Sequence, residues 1–264
     1  MCRRCDYEMI GTHLLFEAKR GTKPSCTAAR PSTKIEVRGC GGLFVDMVYR
    51  RSPKMNNPRK EVAMGFTKRP FLEGTRMCLI YDNDEQRKMI IGQFLARGIA
   101  LGEQVGHFAD MSTPEEVETW LQEMGIDLPT RKRNGEFKVF KAAEDIYCPS
   151  GRFTPSEMLS TLDGCYDKAI QAGYQGARIS GEMSWALRGI PGSERLLEYE
   201  ALINTIIEAH PVTPICQYDA RRFDGATLLN VLKVHPWMIV RGKIVQNPYF
   251  IAPQEFLKEF KPRQ

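Results

Sequence analysis

From residue 77 onward the spacing of apolar residues switches repeatedly between two periods. MCLIYD (77–82) and QVGHFAD (104–110) are short, nearly continuous apolar runs of the kind that fill a buried strand. Between them, NDEQRKMIIGQFLARGIALG carries Met89, Ile90, Phe94, Ile99 and Leu101 near helical spacing. EFKVFKA (136–142), GARISGE (176–182) and VTPICQYD (212–219) read as further strands, and Pro214 puts its strand residue at a start or an edge. TPEEVETWLQEMG, EMLSTLDGCYDKAIQAGY, SERLLEYEALINTIIEAH (193–210) and ATLLNVLKVH read as helices. Ser112 with Glu115, and Thr154 with Glu157, have the spacing of capping boxes, in which hydroxyl and acid each accept from the other's backbone amide. Gly125 ends the first capped helix. WMIVRGKIVQN reads as a terminal hairpin turning at Arg241, Gly242 and Lys243.

Strands alternating with helices predict an α/β fold with a mostly parallel sheet flanked by helices. Such sheets bind ligands in crevices beyond the carboxyl ends of their strands. The residues expected there are Tyr81 and Asp82, Asp110, Ser180 to Glu182, and Gln217, Tyr218 and Asp219.

The first strand-to-helix turn argues against nucleotide chemistry. A phosphate-binding loop needs glycines, so that backbone N–H groups can wrap the phosphates, and then Lys and Ser/Thr. YDNDEQRK (81–88) has no glycine and carries acids and an amide where phosphates would sit. GARISGEMSWALRG (176–189) groups Arg178, Glu182, Met183 and Trp185 at and beyond a strand end. A carboxylate there holds a metal, acts as a base, anchors a polar ligand group, or simply pairs with an arginine, while Met183 and Trp185 form an apolar wall or core. Cys216, Gln217, Tyr218 and Asp219 offer mixed polar and apolar recognition. As a nucleophile Cys216 needs a base, for which His107 and His235 are the candidates, and its alternative is a small buried thiol. His235 sits at a helix end, where it meets the last carbonyls.

Residues 1–70 differ in texture. They are rich in Arg, Lys, Pro, Gly, Ser and Thr, with one short strand-like run, GCGGLFVDMVYR, and hold 15 Lys/Arg against 6 Asp/Glu, while the remainder holds 22 against 26. The expected organisation is a basic, irregular extension over 1–70 and one folded domain over 71–264. Clustered positive charge attracts phosphates, so nucleic acid is a candidate partner of the extension, a solvated tail being the alternative. Cys2, Cys5, Cys26 and Cys40, with His13, are candidates for zinc, although only the first pair has knuckle spacing. The eight cysteines follow no disulfide framework, and neither a long apolar run nor a secretory leader occurs, which predicts a cytoplasmic protein with reduced thiols.

Six segments, in order, resemble the MEDS family, the methanogen/methylotroph sensory domain: FLARGIALGEQVGHF (94–108), GRFTPSEML (151–159), AGYQGARISGEMSWAL (172–187), EYEALIN (198–204), CQYDARRF (216–223) and VLKVHPWMIVRGKIVQNPYF (231–250). The resemblance implies that the domain over 71–264 is a sensory one, with a RecA/KaiC-like core that lacks a phosphate-binding loop. It also implies no enzyme activity and no cofactor, and a sensory or transcription-regulatory role toward hydrocarbon derivatives or one-carbon compounds. Output would pass through a protein partner, a homo-oligomer or nucleic acid. Family members often carry a histidine near the first strand, where this chain reads Arg76, Met77 and Cys78. The rival readings are a small-molecule enzyme using Glu182 or Cys216, and a DNA-binding regulator acting through residues 1–70.

Overall fold

Seven strands form one twisted sheet: β1 (Met77–Tyr81), β2 (Gln104–Ala109), β3 (Phe137–Lys141), β4 (Ala177–Glu182), β5 (Thr213–Asp219), β6 (Trp237–Val240) and β7 (Lys243–Gln246). Their spatial order is β7-β6-β1-β5-β4-β2-β3. Every neighbouring pair is parallel except the β6–β7 hairpin. The computed structural model describes residues 59–260, together with two short paired strands, Thr33–Lys34 and Val48–Tyr49. Cys2, Cys5, Cys26, Cys40, His13 and most of GCGGLFVDMVYR lie outside the described residues.

Strand side chains alternate between faces, and both faces are buried. In β1, Met77, Leu79 and Tyr81 enter one apolar layer while Cys78 enters the other; in β5, Ile215 enters the first and Cys216 and Tyr218 the second. The first layer is covered by α1 (Asp84–Ala100), α2 (Pro114–Glu123) and α3 (Leu128–Arg133). The second lies under α4 (Pro155–Leu162), α5 (Cys165–Gln171), α6 (Leu196–Ala209), α7 (Gly225–Val234) and α8 (Pro253–Glu259). Because both faces are covered, the strands read as apolar runs, which makes them visible in the sequence.

Several local expectations need correction. The capping box of α2 uses Thr113 and Glu116, one residue later than expected, because the Ser112 hydroxyl is bonded to Glu182 instead. Thr154 occupies the cap position of α4 without a side-chain capping bond. The single helix expected over EMLSTLDGCYDKAIQAGY is two helices, split where Gly164 takes a left-handed φ of 75°. Pro214 is the second residue of a strand flanked on both sides, so it marks a start and not an edge. The hairpin turn is two residues long, with φ of 48° at Arg241 and 71° at Gly242, the positive values that a tight antiparallel turn requires.

Packing against the sheet begins ahead of residue 70, inside the stretch expected to be irregular. A short hairpin pairs Glu61–Val62 with Phe71–Leu72, and Val62, Met64 and Phe71 enter the first core layer. The Arg59 guanidinium donates to the Ile207 carbonyl at 3.0 Å, tying this hairpin to α6.

Candidate functional site

The carboxyl end of the sheet is built around one carboxylate. Glu182, the last residue of β4, is 1% exposed and accepts from every side that faces it. Its Oε2 accepts from the successive backbone amides of Asp110 (2.8 Å), Met111 and Ser112 (3.1 Å). Its Oε1 accepts from Arg87 Nη1 at 2.7 Å and from the Ser112 hydroxyl at 2.7 Å. His107 Nε2 lies 3.6 Å from the same oxygen. Burial opposes ionisation here, but His107, Arg87 and the Ser112 hydroxyl outweigh it and hold the carboxyl well below the usual range. Three consecutive amides converging on an oxygen form an anion nest. In this chain the nest is filled internally, by the side chain of Glu182.

The turn that follows β1 is equally closed to phosphate. Only Asp82 and Asn83 separate β1 from α1, and Asn83 caps the helix by accepting from the Gln86 amide at 2.8 Å. Arg221 bridges the turn, donating to both oxygens of Asp84 at 2.9 and 3.0 Å and to both oxygens of Asp219 at 2.8 and 2.7 Å. The Arg221 bond is the main reason that Asp84 and Asp219 are held below the ordinary aspartate range. Arg87 and Arg221 both stand over the Tyr81 ring, 5.1 and 5.9 Å from its centroid.

The sequence candidates therefore separate into three places. Tyr81, Glu182 and Asp219 meet at the carboxyl end, with Asp82 exposed beside them. Arg178 lies elsewhere, near the start of β4. It donates to Glu103 at 2.5 Å and to the carbonyls of Phe94 (2.8 Å) and Ala63 (3.1 Å), a strut under α1 that fits only because residue 98 is glycine. Trp185 is no crevice wall. It is fully buried in the second layer, stacked on Tyr147 at 4.6 Å and tilted against Phe153 at 4.8 Å. Gln217 is buried and donates to the Ser180 hydroxyl at 2.9 Å.

Met183 and Cys216 meet in the third place, a small, mainly apolar cavity of about 30 Å³ between the sheet and α6. Phe108, Tyr147, Ile179, Tyr199, Ile203 and Ile206 are among the residues of the remaining wall, with His210 adding polarity. Burial pushes the Cys216 thiol well above its ordinary value, so it stands in the cavity wall as a neutral thiol. Tyr218 and His235 lie behind Cys216 with Arg76 and Glu200, two residues absent from the sequence candidates. Helical spacing holds the missing signal: Glu200 falls on the apolar stripe of Leu196, Leu197, Ile203 and Ile207, where an acid must be buried. Arg87 and Ser112 are equally unforeseen as partners of Glu182, since their union depends on three segments far apart in the chain.

The architecture and this closed turn define a class, a RecA/KaiC-like α/β domain whose phosphate-binding position is occupied by its own side chains. Consistent with that, the chain is similar in fold to the KaiC-like protein PH0186 from Pyrococcus horikoshii OT3, with a TM-score of 0.51 at 16% identity, over 69% of this chain and 80% of that one. The MEDS model (MEthanogen/methylotroph, DcmR Sensory domain) matches residues 77–236, and the chain belongs to this family. It is also 27% identical over 160 residues to the transcriptional repressor DcmR of Methylorubrum extorquens (strain DSM 6343 / CIP 106787 / DM4), covering 60% of this chain. The matched region spans 57% of that repressor's length. The chain is thus a member of a sensory family with a regulatory relative, and no helix among the described residues is long and apolar enough to cross a membrane.

Proposed function

We propose that this domain senses a small apolar compound of one-carbon size, held in the cavity between β4, β5 and α6, and regulates transcription without catalysing a reaction. The observation that carries this reading is the cavity itself. It is partly open, its wall is mainly aliphatic and aromatic, and its volume of about 30 Å³ is on the order of two water positions. A polar or larger ligand would leave unpaired groups or force the walls apart, whereas a halogenated or methylated one-carbon compound matches both size and polarity.

The carboxyl end supports a non-enzymatic reading. A general base needs a lone pair free to reach a substrate proton. Both oxygens of Glu182 are committed to internal donors, and the Cys216 thiol is held protonated by burial. The output half of the proposal rests on charge and on kinship. Residues 1–70 carry the basic excess, and the relative of known role is a repressor. We place DNA contact in that segment, ahead of a sensory domain whose packing starts near Arg59.

Thermal melting of the full chain against a panel of one-carbon and short hydrocarbon compounds tests the sensory half. A ligand at about 100 times its Kd stabilises by roughly 2.7 kcal/mol, a rise of about 5–11 °C for a domain of this size. A panel with no compound raising the melting point would overturn it. For the output half, duplex binding should fall steeply with salt and disappear on removing residues 1–58.

A further inference from the structure

Behind the cavity wall lies a polar cluster that the sensory reading does not use. Glu200 of α6, Cys216 of β5 and His235 after α7 are all buried, and a ligand atom from each lies within 4.8 Å of the other two. His235 Nδ1 is 2.8 Å from the Val231 carbonyl, which can only accept, so Nδ1 carries the proton. Nε2 is then a bare lone pair, yet it faces Glu200 Oε2 at 3.2 Å. Two acceptors so placed need a proton or a cation between them.

The unmet bonding capacity converges on one point. His235 Nε2 and Glu200 Oε1 are buried without a close hydrogen bond among the described residues, and the Tyr218 hydroxyl faces the same carboxylate. Arg76 is bonded to Glu200 Oε2, leaving Oε1 unbonded. Unpaired buried groups of this kind call for a bound species.

We propose that Glu200, Cys216 and His235 form a buried binding site for one thiophilic divalent cation of zinc-like chemistry. One carboxylate oxygen, one thiolate and one imidazole nitrogen are the donor types of such sites, and a ring N–H held by a backbone carbonyl is their usual outer support. Tetrahedral bond lengths of about 2.0–2.3 Å bring donors to roughly 3.3–3.8 Å of one another, so closing from the present spacing is a small movement. The thiol loses its proton to solvent as the metal–sulfur bond forms. Cys78 is the register partner of Cys216 on the adjacent parallel strand and shares its face. Its sulfur stands outside the three-donor cluster.

The test stands apart from the sensory reading, since it needs no organic ligand. In the full chain with Cys2, Cys5, Cys26 and Cys40 replaced by serine, cobalt(II) is titrated and thiolate-to-cobalt charge-transfer absorption is followed. The expected result is saturation at one equivalent, reversal by zinc, loss of the band in Cys216→Ser, and weakening by about tenfold or more in His235→Gln. Cys165→Ser, a buried thiol in α5, should retain the band. No band in the parent protein would overturn the proposal whatever the variants do, and so would a band that survives Cys216→Ser or that is lost equally in Cys165→Ser.

Discussion

Replacing Glu182 by glutamine should unfold the domain far more readily than its near-identical volume suggests. The substitution keeps the side chain's shape but removes the charge that faces Arg87 at 2.7 Å, where the guanidinium side chain is only 7% exposed. Its new NH2 can only donate, and in either orientation it meets donors, the three backbone N–H groups at one oxygen position or Arg87 and the Ser112 hydroxyl at the other. Breaking one partner of a buried pair costs about 3–5 kcal/mol, since the other charge remains buried without compensation. For a domain of roughly 200 residues, each kcal/mol moves Tm by about 2–4 °C, giving a fall of about 6–20 °C. Calorimetric melting and urea titration measure the loss independently. The double variant Glu182→Gln/Arg87→Met removes both charges and should recover part of it, with a coupling of about 2 kcal/mol. A loss under about 1 kcal/mol in Glu182→Gln would refute the clasp as a structural element. The pH dependence carries a sign as well. The folded carboxyl is held below its unfolded value of about 4.3, so its stabilisation is fully present above that pH. It is lost as pH falls through the folded value, so the gap between wild type and Glu182→Gln should narrow in acid.

Further expectations follow from single positions. Thr113→Ala removes the hydroxyl half of the α2 capping box and should cost about 1 kcal/mol in urea titration, while Thr154→Ala should cost clearly less because that side chain makes no cap bond. Gly98→Ala places a Cβ 2.6 Å from Arg178 Cδ and Nε, so it should lower Tm by displacing the strut, and Gly125→Ala, with open space around it, should be penalised only for its φ of 80°. Trp185→Ala empties the stack with Tyr147 and Phe153 and should cost about 3–5 kcal/mol, with loss of near-ultraviolet circular dichroism.

The sheet is legible in the sequence because both of its faces are buried, which turns strands into apolar runs such as MCLIYD and VTPICQYD. Its helices are legible from their period, but their ends are not. Ser112 has the local spacing of a cap, yet its hydroxyl is claimed by Glu182, which lies 70 positions further along the chain. The closed phosphate position is readable from YDNDEQRK, since missing glycines are a local fact. The nest after β2 that Glu182 fills is not, because Arg87, Ser112 and Glu182 come from three segments joined only by the strand order. The expectation of Trp185 as a crevice wall rests on its nearness to Glu182 in sequence. The residue after a strand end can turn back under the sheet, and here a 3-10 turn over Met183–Arg188 carries the indole into the core.

A small apolar molecule held in the cavity against α6 is the proposed signal. Titration calorimetry of the full chain with the best compound from the melting panel, set beside Ile206→Phe, tests it most directly. Ile206 is buried in α6 and lines the cavity, and the larger ring occupies space that the ligand needs. One saturable site in the wild type, a negative heat-capacity change from apolar burial, and no detectable binding in a folded Ile206→Phe are expected. Equal binding by the two proteins would contradict the proposal.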